Sequence, residues 1–365
     1  MCTKPYSPST MQANKQVKYD LLDCLRLLCA FLVVLLHATE FRDSHSFSHM
    51  MVVCFSSQAV PFFFIVSGFF LASKLKGSAN PKAVLLNYAR KQLILYFAWA
   101  LTELPSIIVY YRRMHSSRSL VYTLLLTARR MFLAGAGAYW YILSLSIAAL
   151  FVGYYYIKHR KTFLYIIAVI CLFWGYSYDA DLKIPLLFQL NQMMYVVFSW
   201  SNNFMMKAIP YVTIGFLIHE YKDQLHFRLT SLILPYLLLG AVSITLFMQL
   251  PIDKLSHTKY FFFYPIQAVL LILIGLSYGK PLPNHRVYII VRELSASIYF
   301  LHSLIIYKLI DPIFSVYSPV GFKFISSLIL STLIFIVAKK LKWKPLCWLL
   351  SIKTAKESQP SVGHL

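Results

Sequence analysis

Charged residues are scarce in this sequence, and acidic residues are the scarcest of them. Only 13% of the 365 residues are charged, with 13 Asp and Glu against 35 Lys and Arg, while 59% are hydrophobic. Soluble domains rarely approach this composition, and long apolar runs recur along the whole chain. The composition therefore excludes an ordinary soluble enzyme and predicts a multi-pass membrane protein.

Several kinds of motif are also missing. The six cysteines show no CxxC pair or metal-ligand spacing, the eleven histidines are dispersed, and no glycine-rich phosphate loop is present. We therefore expect no metal site, and we interpret the cysteines as small apolar side chains. The first twenty residues lack the pattern of a cleaved signal, so the first apolar run is expected to remain as a span.

Ten apolar runs of helical length predict an all-α polytopic membrane protein, with about ten transmembrane helices in one bundle. Residues 1–19 are expected to form an N-terminal tail, 20–338 the membrane domain, and 339–365 a basic, amphipathic tail at the membrane interface. The expected spans are 20–41, 51–72, 92–111, 138–157, 162–178, 205–220, 229–249, 259–278, 293–310 and 321–338.

The Lys and Arg residues flank these spans instead of covering one soluble face, which argues against nucleic acid as a partner. Of the 35, 22 lie on the side of the two termini, 12 lie on the other, and Arg26 lies inside a span. By the positive-inside rule, both termini are predicted to be cytoplasmic. The outer loop 112–137 departs from this rule because it carries five arginines. Either the local topology differs, or these arginines form an external basic surface, with 119–134 as a short interfacial helix.

The first apolar run, 19–41, is interrupted by four ionisable residues: Asp23, Arg26, His37 and Glu40. Arg26 and His37 are eleven positions apart, which places them within about 20° of the same helix face and about 16 Å apart along its axis. The two acids lie near the same stripe. Ionisable groups are costly inside a membrane, so we interpret this stripe as a functional site that faces the bundle interior.

Five segments resemble the acyltransferase-3 family of integral membrane acyltransferases, and the resemblance spans residues 19 to about 340. They are LRLLCAFLVVLLH with Arg26 and His37, VPFFFIVSGFFLASKL with Ser67-Gly68-Phe69, AYWYILSLSIAALF with Trp140, IPYVTIGFLIHEY with Gly215, and SASIYFLHSLIIY with His302.

The resemblance implies transfer of an acyl group, usually acetyl from cytoplasmic acetyl-CoA, to a hydroxyl of a cell-surface polysaccharide or its lipid-linked precursor. It implies that acyl-CoA is a donor substrate and that no cofactor is tightly bound. The other expected partners are the glycan acceptor and membrane lipids. The same resemblance implies a multi-pass protein of the plasma membrane of a bacterial cell.

An acyl transfer of this kind needs a base that takes the proton of the attacking hydroxyl, and an imidazole changes protonation near neutral pH. His37 is the candidate base, and Glu40 is the candidate carboxylate that orients it. The alternative for His37 is a packed histidine bonded to a carbonyl group. The alternative for Glu40 is a place at the membrane interface.

Arg26 lies too far from His37 to touch the same atom, so we expect a different role for it. A guanidinium can bind the phosphates of the donor, or it can pair with Asp23 and brace the helix. The sequence leaves both roles open.

Arg90 and Lys91 are also predicted to bind the donor, although the family's third helix usually has a second basic residue where this chain has Ile94. Ordinary positive-inside charge is an alternative for each cation of the wider basic set. That set is Lys74, Lys76, Arg90, Lys91 and Arg160.

Ser67, Trp140 and His302 are expected to line the site, together with Asp23. For Ser67 the alternative is close helix packing beside Gly68. For His302 the alternative is a structural histidine on an apolar face.

Two other functions remain compatible with the sequence. The first is a transporter or flippase of lipid-linked sugars, which would use the charged stripe as a translocation path. The second keeps the fold but uses another donor, such as succinyl-CoA, or assists export without catalysis.

Overall fold

The computed structural model describes residues 19–39, 52–53, 55–179, 184–225, 227–249, 263–278, 283 and 285–353. All regular secondary structure in these ranges is helical. Within them, eight helices are long and apolar enough to cross a membrane. The prediction of an all-α polytopic membrane protein is confirmed.

Each of the ten predicted spans overlaps one of the observed helices. In the described ranges, three π-helical turns extend the bundle: Arg130–Ala134 follows α4, Phe204–Ala208 precedes α8, and Ile305–Ile310 follows α11. The α-helices of six or more residues in these ranges are α1 (Asp20–Ala38), α2 (Ala59–Lys76), α3 (Pro81–Met114), α4 (Leu120–Arg129), α5 (Trp140–Ile157), α6 (Lys161–Asp179), α7 (Pro185–Phe198), α8 (Ile209–Tyr221), α9 (Leu229–Gln249), α10 (Phe263–Ser277), α11 (His285–Leu304), α12 (Val320–Leu341) and α13 (Lys344–Leu349).

Helix α3 is much longer than the predicted span 92–111. It begins at Pro81, whose fixed φ suits a first helical residue, and the side chain of Asn80 accepts a hydrogen bond from the backbone N–H of Ala83 at 3.1 Å. A hydropathy pattern detects the apolar middle of such a helix and misses its polar first turns. Helix α7 was missed altogether, because its amides and aromatic residues resembled an interfacial loop.

Helices α2 and α8 cross in backbone contact at two glycines. A Cβ atom on Gly68 would lie 2.3 Å from the carbonyl oxygen of Val212, and one on Gly215 would lie 2.1 Å from that of Ile65. No side chain fits at such distances, so glycine is required at both positions. The segments around Gly68 and Gly215, which lie far apart in the sequence, thus form one helix crossing.

The predicted short helix within the loop 112–137 is present as α4. Its π-helical extension ends at Gly135, which has a φ of +87°. The side chain of Arg129 donates a hydrogen bond to the carbonyl oxygen of Val196 at 2.6 Å, and the guanidinium of Arg130 lies 4.7 Å from the ring centroid of Trp200. The arginines of this loop therefore hold α4 against the end of α7.

Candidate functional site

The first of two polar clusters lies where α1 ends. His37 of α1, His302 of α11 and Tyr307 of the following π-helical turn form this cluster, which we call the histidine end. The Nδ1 atom of His37 lies 2.8 Å from the hydroxyl oxygen of Tyr307. The ring centroids of His37 and His302 are 5.0 Å apart. The structure thus brings together two histidines that the sequence analysis singled out separately.

The orientation of His302 is set by its own helix. Its Nδ1 atom lies 2.6 Å from the carbonyl oxygen of Tyr299, and the side chain is fully buried. A carbonyl oxygen can only accept a hydrogen bond, so Nδ1 carries the proton. This is the bonding expected of a structural histidine, but it holds the ring directly beside His37.

Tyr307 was not found by the sequence analysis. It lies five residues after His302, and in an α-helix this spacing separates two side chains by about 140°. A π-helical turn has i→i+5 hydrogen bonds and a wider helix, which reduces this angle. Because no sequence pattern marks a π-helical turn, the approach of Tyr307 to His37 could not be predicted.

An ion pair holds the π-helical turn against α3. The Lys308 ammonium lies 3.0 Å from the carboxylate of Glu103, and Ser303 also donates a hydrogen bond to Glu103 at 3.5 Å. Glu103 is 7% exposed, and a Cβ atom on Gly137 would lie 3.3 Å from its side chain. These contacts fix the backbone on both sides of Tyr307.

Glu40, the predicted orienting carboxylate, lies outside the described residues. Its role beside His37 therefore stays a prediction.

The second polar cluster lies near the start of α1. Arg26 pairs with Asp23 at 2.5 Å, and Arg292 of α11 lies 3.7 Å from the other oxygen of the same carboxylate. The guanidinium of Arg26 is 4.7 Å from the ring centroid of Phe70. The side chain of Ser295 donates a hydrogen bond to the backbone carbonyl oxygen of Arg26 at 3.0 Å. The structure thus shows the pairing of Arg26 with Asp23, and whether Arg26 braces the helix or also contacts the donor stays a prediction. A guanidinium has five N–H donors, so a donor contact is compatible with this pairing.

Further cations surround this second cluster. Lys74 lies one turn after Phe70 on α2, and its ammonium is 6.0 Å from the ring centroid of Tyr88 on α3. Arg90 and Lys91, two and three residues after Tyr88 on α3, are exposed, as is Ile94. The charges of four other cations act on Lys74: Lys91, Lys353, Arg292 and Arg26. We call these five cations, grouped near Asp23, the basic end.

Arg292 and Lys353 were missed by the sequence analysis, because each resembled ordinary charge flanking a span. The structure joins them to Arg26 and Lys91. The described contacts do not bring Arg90 into the same group, and its predicted role is unchanged.

Between the two ends, Ser67 joins side chains from three helices. Its hydroxyl lies 3.1 Å from that of Tyr141 on α5, and it also interacts with the side chain of Tyr88 on α3. All three side chains remain partly accessible although they converge inside the bundle. They therefore meet between α2, α3 and α5 at a place that keeps some accessible surface. Ser67 contributes its hydroxyl here, while the neighbouring Gly68 provides the close helix packing.

Aromatic rings continue from this point to the histidine end. The rings of Tyr141 and Tyr299 have centroids 5.5 Å apart, and those of Tyr299 and His302 are 5.7 Å apart. Tyr141 also interacts electrostatically with Arg26. A series of side chains with polar tips thus runs from the basic end to the histidine end.

Trp140 occupies a different place from its neighbour Tyr141. Its ring centroid lies 6.0 Å from that of Phe64, and a Cβ atom on Gly135 would lie 2.4 Å from its Cα atom. In the described contacts it is therefore Tyr141, and not Trp140, that reaches Ser67.

A protein-family model described as an acyltransferase domain matches residues 19–339, nearly the whole chain. The match includes both polar clusters apart from Lys353. No curated protein and no solved structure gave a significant match.

Proposed function

The chain belongs to the acyltransferase-3 family and is a membrane acyltransferase, and from this premise we propose that it O-acetylates a cell-surface polysaccharide or its lipid-linked precursor. The donor in this proposal is cytoplasmic acetyl-CoA, and the membrane is the plasma membrane of a bacterial cell. The observation that supports this proposal most is that α1 contributes to both polar clusters. Arg26 belongs to the basic end and His37 to the histidine end, about 16 Å further along the helix. A pantetheine arm is long enough to connect them.

In this proposal His37 is the general base. In the tautomer that this role requires, Nδ1–H donates a hydrogen bond to the hydroxyl of Tyr307, and Nε2 takes the proton of the acceptor hydroxyl. The acceptor oxygen forms a bond to the thioester carbon, and the carbon–sulfur bond breaks. The proton then passes from the imidazolium to the thiolate of CoA. The products are an O-acetyl ester and CoA with a free thiol, so no further reagent is needed.

Ser67 and Tyr141 would lie beside the acyl arm of the donor in this arrangement. Their hydroxyls can donate hydrogen bonds to the amide carbonyls of pantetheine or to the thioester oxygen. Such contacts would orient the acetyl group toward His37.

The direct test uses the purified full chain in proteoliposomes with radiolabelled acetyl-CoA and the glycan fraction of the producing cell. We expect acyl-CoA-dependent label in alkali-labile esters of the glycan. A transporter of lipid-linked sugars would move the glycan and leave it unlabelled. A parallel reaction with succinyl-CoA identifies the donor. Absence of transfer from both donors would refute the proposed function.

Replacement of Tyr307 by phenylalanine should lower kcat about tenfold, because Nδ1–H of His37 loses its acceptor and the ring loses its fixed orientation. The KM for acetyl-CoA should stay within about twofold, since the donor's phosphates bind at the other end. Tyr317→Phe is the matched control, because Tyr317 is 76% exposed. A Tyr307→Phe variant with unchanged kcat would contradict this positioning role, which steady-state kinetics measures directly.

A further inference from the structure

The chain beyond α12 folds back onto the bundle. Lys342 has a φ of +53° and reverses the chain after α12. The indole N–H of Trp99 then donates a hydrogen bond to the carbonyl oxygen of Leu349 at 3.1 Å, and Ser297 donates one to that of Leu350 at 3.3 Å. We call residues 342–353 the C-terminal strap. It contains α13 and is fastened to α3 and α11.

Three apolar side chains of the strap point into the bundle, while Trp343 and Trp348 are exposed. Cys347, Leu350 and Ile352 are 2%, 0% and 5% exposed. Burial, and after it the Glu293 carboxylate, raises the pKa of the Cys347 thiol, which therefore stays uncharged at neutral pH. The segment predicted as an interfacial tail thus forms a short helix whose apolar side is buried against the protein.

Glu293 of α11 fixes the end of the strap. One of its carboxylate oxygens accepts a hydrogen bond from the backbone N–H of Lys353 at 3.2 Å, and the other accepts one from the ammonium of Lys339 at 2.9 Å. The Lys353 residue is exposed. Because Glu293 directly follows Arg292, these bonds place Lys353 next to the basic end.

The basic end carries an excess of positive charge. Five cations are grouped near two carboxylates. Asp23 already pairs with two of them, Arg26 and Arg292, and Glu293 pairs with Lys339. Among the described residues, no carboxylate forms an ion pair with the other three, which are Lys74, Lys91 and Lys353. Like charges this close repel one another, and a bound anion relieves the repulsion. An anion with several charges fits this cluster best.

We propose that the C-terminal strap is part of the donor site, and that Lys353 and Arg292 bind the phosphates of acyl-CoA together with Arg26, Lys74 and Lys91. The identity of the donor rests on the proposed function, whereas the strap and its lysine are an independent addition. CoA carries a diphosphate and a 3′-phosphate, so it supplies an anion of several charges. Its pantetheine arm would then enter where Tyr88, Ser67 and Tyr141 meet.

The test measures binding of CoA to the full-length protein in detergent by calorimetry. Lys353→Ala should weaken CoA binding about five- to tenfold, and the effect should shrink at high salt. The matched control is Lys344→Ala, an exposed lysine of the same strap outside the cluster, which should bind CoA within about twofold of wild type. Lys353→Arg should restore most of the affinity.

A second donor, which has no phosphates, shows whether Lys353→Ala acts through the lost charge or through disturbed packing of the strap. The KM for S-acetylpantetheine should be the same in the Lys353→Ala and Lys344→Ala variants. The role of the strap would be overturned if the two variants bound CoA equally well. It would also be overturned if Lys353→Ala raised the KM for S-acetylpantetheine as much as it weakened CoA binding. In either case, CoA binding by the wild-type protein would leave the proposed function intact. A wild-type protein that neither binds CoA nor transfers acetyl would instead refute the donor itself, and the strap's role with it.

Discussion

Replacement of His37 by glutamine should lower the rate of acetyl transfer by about a thousandfold, because glutamine can form hydrogen bonds but cannot take up the acceptor's proton. The same variant should bind CoA within about twofold of wild type, since the proposed site of the donor's phosphates lies about 16 Å away at the basic end. Radiolabel transfer and calorimetry on the same preparation measure the two quantities. In cells, the loss appears as missing O-acetyl groups on the surface polysaccharide.

The matched control for this variant is His115→Gln. His115 follows α3, and its ring contacts that of Tyr122, away from both polar clusters. A folded His37→Gln protein that keeps more than about a tenth of the wild-type activity would remove His37 as the base. His302 would then be the next candidate, since its ring lies beside that of His37.

Replacement of Gly215 by alanine should prevent normal folding or lower the free energy of unfolding by at least about 3 kcal/mol, the upper part of the range for overpacking. The added Cβ atom would lie 2.1 Å from the carbonyl oxygen of Ile65 and 2.7 Å from the backbone nitrogen of Phe69. These are backbone atoms, which cannot move aside as a flexible side chain can. Helices α2 and α8 would have to separate.

Gly321→Ala on α12 provides the control, because a Cβ atom there has no neighbour within 4 Å. Its stability should change by less than about 0.5 kcal/mol. Size-exclusion profiles and melting temperatures in detergent measure both variants. A Gly215→Ala protein as stable as Gly321→Ala would contradict the backbone contact between α2 and α8.

The crossing of α2 and α8 also explains how a substitution at Gly215 would affect the candidate site. Gly68 lies next to Ser67, so the depth at which α8 contacts α2 sets the position of the Ser67 hydroxyl relative to Tyr141. A separation of α2 from α8 would therefore disturb the space between the two polar clusters. We expect activity to fall even in a Gly215→Ala protein that retains its fold.

The amino-acid sequence by itself determined the ten apolar helices and the stripe on α1, but not α7. Apolar runs of helical length are a local property of the chain, and the eleven-residue spacing of Arg26 and His37 places them on one face of any α-helix. Helix ends were less well determined, as α3 shows, because capping residues and polar first turns carry little hydropathy signal.

The tertiary structure alone decided which side chains meet the stripe. Lipid and bundle interior are both apolar, so the pattern of a membrane helix does not show which face turns inward. For this reason Tyr141 was overlooked beside Trp140, and Arg292 and Lys353 resembled ordinary flanking charge. The approach of Tyr307 to His37 depends on a π-helical turn, and that of Lys353 to Arg292 depends on the reversal at Lys342. Such contacts between distant segments follow from packing, which no local pattern records.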